Sequence, residues 1–294
     1  MKEAVETISI IGDALAGIGL KYVGRYAIWF EYIPIALEGD MVHVIQTQKL
    51  ISANVIHSKY IVREIAEIVD LDSYVSTATR MKIGRFIKAL LPGVNQGTVE
   101  SIATKIVAES AEPEFKIVYG EGIREAYLID NYLSDSGTLG NSCMASNDKQ
   151  DYLDIYCNSE NVGLLVLYRR DKITGRALLW KANYYKDDGS TEKVIFMDRI
   201  YTNKTRDEEV FKKYARDNDM MFLAEQCSNA VEFEYNGITL FNPSLSVRVN
   251  GDAEQYPYLD NLYYMSKRKG FLRTIANKSS YWLLKSTEGN IQEI

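Results

Sequence analysis

Histidine, cysteine and phosphate-binding glycine patterns are all scarce in this chain, and each scarcity removes a class of function. His43 and His57 are the only histidines in 294 residues, so a Ser/His/Asp or Cys/His set would have to bring the N-terminal part of the chain onto distant residues. The three cysteines, Cys143, Cys157 and Cys227, form no CxxC pair, which argues against both a zinc site and a disulfide framework. Gly17-Ile18-Gly19 would need a third glycine at position 22, where Tyr22 stands, so it is no dinucleotide motif. No catalytic residue, cofactor or metal is expected.

Positive charge is in short supply too. Thirty-four Lys and Arg face 40 Asp and Glu, a net charge of -6, against a chain whose work is to neutralise phosphates. No direct nucleic-acid contact is expected. The longest apolar run, Ile8 to Leu20, holds Asp13 and is shorter than the roughly 20 residues that span a bilayer. Glu3 and Glu6 sit where a signal peptide carries positive charge. A soluble cytoplasmic protein with no membrane partner is the expectation.

What the chain has in excess is tyrosine, 21 against 9 Phe, a residue suited to partner surfaces and to half-buried strands alike. Residues 1 to about 56 mix apolar runs with glycines and lean towards strands near Tyr22 to Ile35, where Pro34 disfavours a central strand. Ile61, Ile65 and Ile68 predict one helix and Thr77 to Leu91 a second, whose polar side carries Arg80, Lys82, Arg85 and Lys88. A third is predicted to start at a Thr98 cap. Ser110 to Glu114 breaks the periodicity with a proline, so the domain boundary is placed there, giving domains 1–110 and 111–294.

Beyond it, Phe115 to Tyr119 reads as a strand, Gly122 to Leu133 and Asp148 to Asn158 as helices, and Leu164 to Lys181 as a hairpin. Lys193 to Tyr201 makes a third strand. Thr205-Arg206-Asp207-Glu208 has the spacing of a capping box opening a helix. Met220 to Ala224, Val231 to Tyr235 and Ile238 to Phe241 follow as strands. Gln255 to Met265 concentrates Tyr256, Tyr258, Tyr263 and Tyr264, the candidate protein-interface residues. The fold class expected is α+β, with an N-terminal mixed, largely helical domain and a C-terminal α/β domain.

The order of elements from Glu121 to Ala224 resembles the acyl-CoA-dependent N-acetyltransferases, a family that binds its cofactor pyrophosphate on a glycine-containing loop. Here the corresponding link, Asn203 to Glu208, has no glycine and carries acidic side chains, so the domain is expected to be acetyltransferase-like without the cofactor phosphate loop.

A second resemblance is to uncharacterised proteins of tailed phages. It rests on Lys82 to Ile87, Gly137-Thr138-Leu139-Gly140-Asn141-Ser142-Cys143-Met144, Gly175-Arg176-Ala177-Leu178-Leu179-Trp180, Met197-Asp198-Arg199-Ile200-Tyr201-Thr202 and Pro257-Tyr258-Leu259-Asp260. Those proteins usually continue with an arginine after the first glycine-rich stretch, where this chain has Ala145. The resemblance implies an inhibitor of a bacterial anti-phage defence complex, similar to the Gabija anti-defence proteins. Such an inhibitor oligomerises in the host cell cytoplasm and covers the Gabija nuclease so that DNA cannot enter. The alternatives carried forward are an acetyltransferase-like enzyme and a virion structural protein.

Overall fold

The computed structural model describes residues 3–16, 32–52, 70–145, 147–228, 230–250, 257, 259–265, 270–274, 283–287 and 290–293. The chain is mixed α/β and divides into two units, Met1–Glu112 and Pro113–Ile294.

In the first unit, helix α1 (Glu3–Ala16) turns Ala4, Ile8, Ile11 and Leu15 into the core, one apolar stripe at helical spacing. Strands β1 (Tyr32–Glu38), β2 (Met41–Gln46) and β3 (Thr79–Lys82) form an antiparallel sheet in that order. Pro34 is accommodated because β1 is an edge strand whose register shifts between Pro34 and Ala36. The helix expected over Thr77 to Leu91 is corrected in its first turn. Thr79 to Lys82 are β3, and α3 spans Ile83–Leu90, after the short α2 (Thr47–Ser52). Arg80 and Lys82 accordingly pair along the sheet, with Glu38 at 2.8 Å and Asp40 at 3.7 Å. Helix α4 (Gln96–Glu109) is capped by Asn95, whose side chain accepts from the Thr98 amide at 2.8 Å, so the expected Thr98 cap is one turn out. Ile33, Val42, Phe86, Ile87, Ile102 and Ile106 complete this core. The predicted helix through Ile61 to Ile68 and the Gly17–Gly19 stretch lie outside the described residues.

The second unit is organised on one long strand, β6 (Lys172–Tyr185). Its first half pairs antiparallel with β5 (Val162–Arg169), which pairs in turn with β4 (Pro113–Val118). The second half pairs along the same edge with β11 (Ser244–Arg248), followed by β13 (Phe271–Arg273) and β12 (Tyr263–Met265). On the other edge lies β7 (Thr191–Thr202), with β8 (Met221–Leu223), β9 (Glu232–Tyr235) and β10 (Ile238–Phe241) beyond it. Strands β14 (Leu283–Thr287) and β15 (Asn290–Glu293) extend the β12 side.

Three helices, α5 (Glu121–Tyr127), α6 (Gly137–Gly140) and α7 (Asp154–Cys157), lie in the chain between β4 and β5. The helix expected over Asp148 to Asn158 is instead a 3-10 turn over Asn147–Leu153 followed by α7. The β5–β6 connection is tighter than expected, with Arg170 at φ 59° and Asp171 between the strands. Strand β5 is apolar at nearly every position because both its faces are covered. Leu164 and Val166 join the larger core around Trp180 and Phe196, while Leu165 and Leu167 join the core under α8 (Arg206–Asp217).

Helix α8 carries β7 over to the parallel strand β8. Its start corrects the capping box: the Thr205 side chain makes no cap bond, and the Glu208 amide is met by the Thr205 carbonyl at 3.1 Å. Asp207 has a different task. It is buried and accepts from Arg169 Nη2 at 2.9 Å, tying α8 to the end of β5.

Candidate functional site

The four expected interface tyrosines divide. Tyr256 and Tyr258 lie outside the described residues, and for Tyr264 the backbone alone is described, paired with Leu272 and Leu284. Tyr263 is 6% exposed in β12, opposite Arg273. Its ring is packed into the molecule and leaves little surface to solvent.

The most exposed aliphatic and phenylalanine side chains of the second unit lie elsewhere. Val231, Ile238 and Phe241 are 50%, 62% and 69% exposed. Ile238 and Phe241 lie at the two ends of β10, on its opposite faces, and Val231 immediately precedes β9, in a hairpin turned by Asn236 at φ 51° and Gly237 at φ 73°. Among the described residues β10 ends the sheet, and its four residues, Ile-Thr-Leu-Phe, carry no charge.

A second feature lies on the other side of β7, where a small cavity is lined by Tyr127, Ser142, Arg176, Asp198, Arg199 and Asp260, together with apolar side chains. Three devices assemble it. The first is the turn from Gly137 to Met144. Gly137 has φ 70° and a Cβ there would lie 2.3 Å from the Thr202 carbonyl; one on Gly140 would lie 1.9 Å from the Asp135 carbonyl. Such approach is open to glycine alone. Thr138 then clamps the turn to β7, its hydroxyl accepting from the Thr202 amide at 2.9 Å, and Asn203 Nδ2 donates to the Ser134 and Ser136 carbonyls.

The second device is a bulge in β7. Ala177 is opposite Ile200 while Leu179 is opposite Met197, so three residues of β7 span two of β6. Met197 and Ile200, three apart, therefore both reach the core under α8, and Asp198, Arg199 and Tyr201 all line the cavity. Strict alternation would have sent either Asp198 or Arg199 to the opposite face.

The third device is the segment around Asp260. Its carboxylate accepts from Arg199 Nη1 at 3.0 Å, Ser228 Oγ at 2.8 Å and Tyr201 Oη at 2.6 Å. Neighbouring Asn261 donates to Asp198 at 2.9 Å and accepts from the Ala230 amide.

Asp198 takes two further bonds, from Trp180 Nε1 at 3.1 Å and from the Arg199 amide at 2.8 Å. Burial, and after it the charge of Asp260, push its carboxyl up to about 6 against these bonds. Burial and the Asp260 carboxylate likewise raise the Tyr201 hydroxyl, which stays neutral as the donor of the short bond to Asp260.

Arg176 is 2% exposed. Its guanidinium lies 3.6 Å from the Tyr127 ring centroid and 5.1 Å from that of Tyr201. Nε donates to Tyr132 Oη at 3.2 Å and Nη2 to Ser142 Oγ at 3.0 Å. No described carboxylate forms an ion pair with it. Among the described residues no three His, Cys, Asp or Glu side chains gather as a metal ion requires. No described helix is long and apolar enough to cross a membrane.

Neither a family model, nor a curated protein, nor a solved structure aligns with this chain significantly. The site therefore stands on its geometry. In the sequence Ser142, Arg176, Asp198, Arg199 and Asp260 are spread over four separate stretches that nothing local joins. The signal that points to a common place is charge set among uncharged neighbours in mid-strand: Arg176 between Gly175 and Ala177, and Asp198-Arg199 between Met197 and Ile200.

Proposed function

We propose that the chain is a non-enzymatic, phage-encoded binding protein that inhibits a bacterial defence complex, with the Gabija nuclease as its partner, by covering the surface through which DNA enters. The observation that supports this reading is the uncharged outer strand β10, with Ile238 open to solvent on one face and Phe241 on the other. An open strand offers unpaired main-chain donors and acceptors to a partner strand, and exposed apolar side chains add the desolvation that makes such pairing hold. Monomeric proteins usually protect such an edge with lysine or proline, and here neither occurs within Ile238 to Phe241. The same edge serves self-association into the oligomer that occlusion of a large complex calls for.

The test is co-purification with the reconstituted nuclease complex and protection of its DNA substrate. The parent protein is expected to bind and protect, and Phe241→Asp to lose both while its melting temperature stays within a few degrees. A parent protein that neither binds nor protects overturns the reading.

One observation favours the acetyltransferase-like alternative: three antiparallel strands, β5 to β7, followed by α8 and the parallel strand β8. The start of α8 supplies no phosphate cradle, however. Asp207 is committed to Arg169, and Glu208 and Glu209 follow it in the first turn. Titration calorimetry with acetyl-CoA is expected to give no binding heat; dissociation in the micromolar range would favour the enzyme.

A further inference from the structure

We propose that the Arg176 cavity is a binding site for the carboxylate of a small organic acid with an apolar body, a ligand that the docking edge does not involve. The starting point is electrostatic. A guanidinium taken out of water loses several kcal/mol of solvation unless an anion meets it, and both hydrogen bonds from Arg176 end on neutral hydroxyls, Tyr132 and Ser142. A guanidinium has five N–H donors, so these two bonds leave capacity for a bidentate oxyanion. The two carboxylates that line the cavity with Arg176 are already engaged. Asp260 serves Arg199, Tyr201 and Ser228, and Asp198 serves Trp180, Asn261 and the Arg199 amide.

Those same groups select the ligand. Arg176 and Arg199 are balanced by Asp198 and Asp260 in the cavity wall, so a bound monoanion adds one negative charge and a phosphate dianion adds two. One proton on Asp198, whose carboxyl already sits near 6, absorbs the first and leaves the second unmatched. Size points the same way. The space is about 20 Å³, room for one or two waters, so it seats a head group rather than a nucleotide. Met144, Tyr156, Leu178 and Leu259 supply an apolar wall for the rest of the ligand.

The experiment uses the full chain and 19F NMR with 4-fluorobenzoate as probe and 4-fluorophenyl phosphate as its dianionic counterpart. The benzoate signal is expected to shift and broaden with a dissociation constant of about 1 mM or tighter, the range in which a head-group contact is measurable. The phosphate is expected to bind at least about tenfold more weakly, the cost of roughly one extra unmatched charge interaction. Arg176→Met removes the guanidinium and should abolish the shift. Leu178→Trp fills the cavity from a partly buried position and should abolish it with the arginine in place, so loss of fold in one variant does not decide the matter. An unperturbed benzoate signal with the parent protein, benzoate binding retained by both variants, or phosphate binding as tightly as benzoate each overturns the proposal.

Discussion

Asp198 contributes stability that is lost as the solution is brought from acid towards neutral pH. Its carboxyl is raised in the folded state from 3.8 to about 6 by burial and the neighbouring Asp260 charge. A group whose folded pKa lies above its unfolded value contributes stability that is full below the unfolded pKa and lost as pH rises through the folded one. The window is therefore pH 4 to a little above 6. At 1.36 kcal/mol per unit the whole effect is about 3 kcal/mol, of which about 1 kcal/mol falls between pH 5 and pH 7. Asp198→Asn removes the titration. It also turns an amide N–H towards Trp180 Nε1, a donor facing a donor at a buried site, which costs about 1–3 kcal/mol at every pH. Absolute stability is thus a poor readout and the pH slope a good one. Urea unfolding of parent and variant from pH 4 to pH 7.5 should show the parent's advantage shrinking by about 1 kcal/mol between pH 5 and 7. A difference that stays constant across that range refutes the argument.

Other perturbations have equally definite signs. Asp207→Ala removes the carboxylate 2.9 Å from the Arg169 guanidinium, a pair 3% and 10% exposed, and should cost about 3–5 kcal/mol in urea melts, with Arg169→Met plus Asp207→Leu recovering most of it. Gly140→Ala pushes a methyl into the Asp135 carbonyl and should lower stability by about 1–3 kcal/mol or more, measured the same way. Thr205→Ala removes a hydroxyl that makes no cap bond and should leave the unfolding free energy within about 0.5 kcal/mol of the parent. A loss of about 1 kcal/mol would restore the capping box.

Much of the second unit's strand content is legible in sequence because its signals are local. Asp188-Gly189-Ser190 marks the β6–β7 turn, where the Ser190 amide donates to Asp188 at 2.8 Å and Gly189 has φ 83°. The Asn236-Gly237 pair marks the β9–β10 hairpin. Helix starts are less legible. Met81 and Ile83 fit a helical stripe as well as a strand, and the cross-strand partners that decide for β3, Val42 and His43, lie far back in the chain. Thr205 fails as a cap although its spacing fits, because its backbone is already helical at φ -54°, ψ -32° and Asp207, two residues on, is drawn into the Arg169 pair.

The cavity was illegible for a different reason: no one segment contains it. Ser142, Arg176, Asp198 and Asp260 come from four stretches, and a residue inserted in β7 brings its part of them to one side of the sheet. What sequence does carry is the cost. Replacing buried charges by apolar residues of similar volume is often neutral or stabilising, so a charged group retained at a dry position either fixes the register of the segments around it or serves a ligand. Arg176→Met separates the two. If the arginine holds the Gly137 to Met144 turn against β6 through Ser142, its removal should lower the melting temperature and expose that turn to proteolysis. If it serves a ligand, the variant should melt at or above the parent temperature, with the turn still clamped to β7 through Thr138 and Asn203. The two glycine contacts, the Thr138 bond and the two Asn203 bonds to Ser134 and Ser136 just ahead of the turn, none of which involves Arg176, favour the second outcome. Limited proteolysis with the melting curve decides, and a destabilised variant cut within Gly137 to Met144 would make Arg176 a structural rivet.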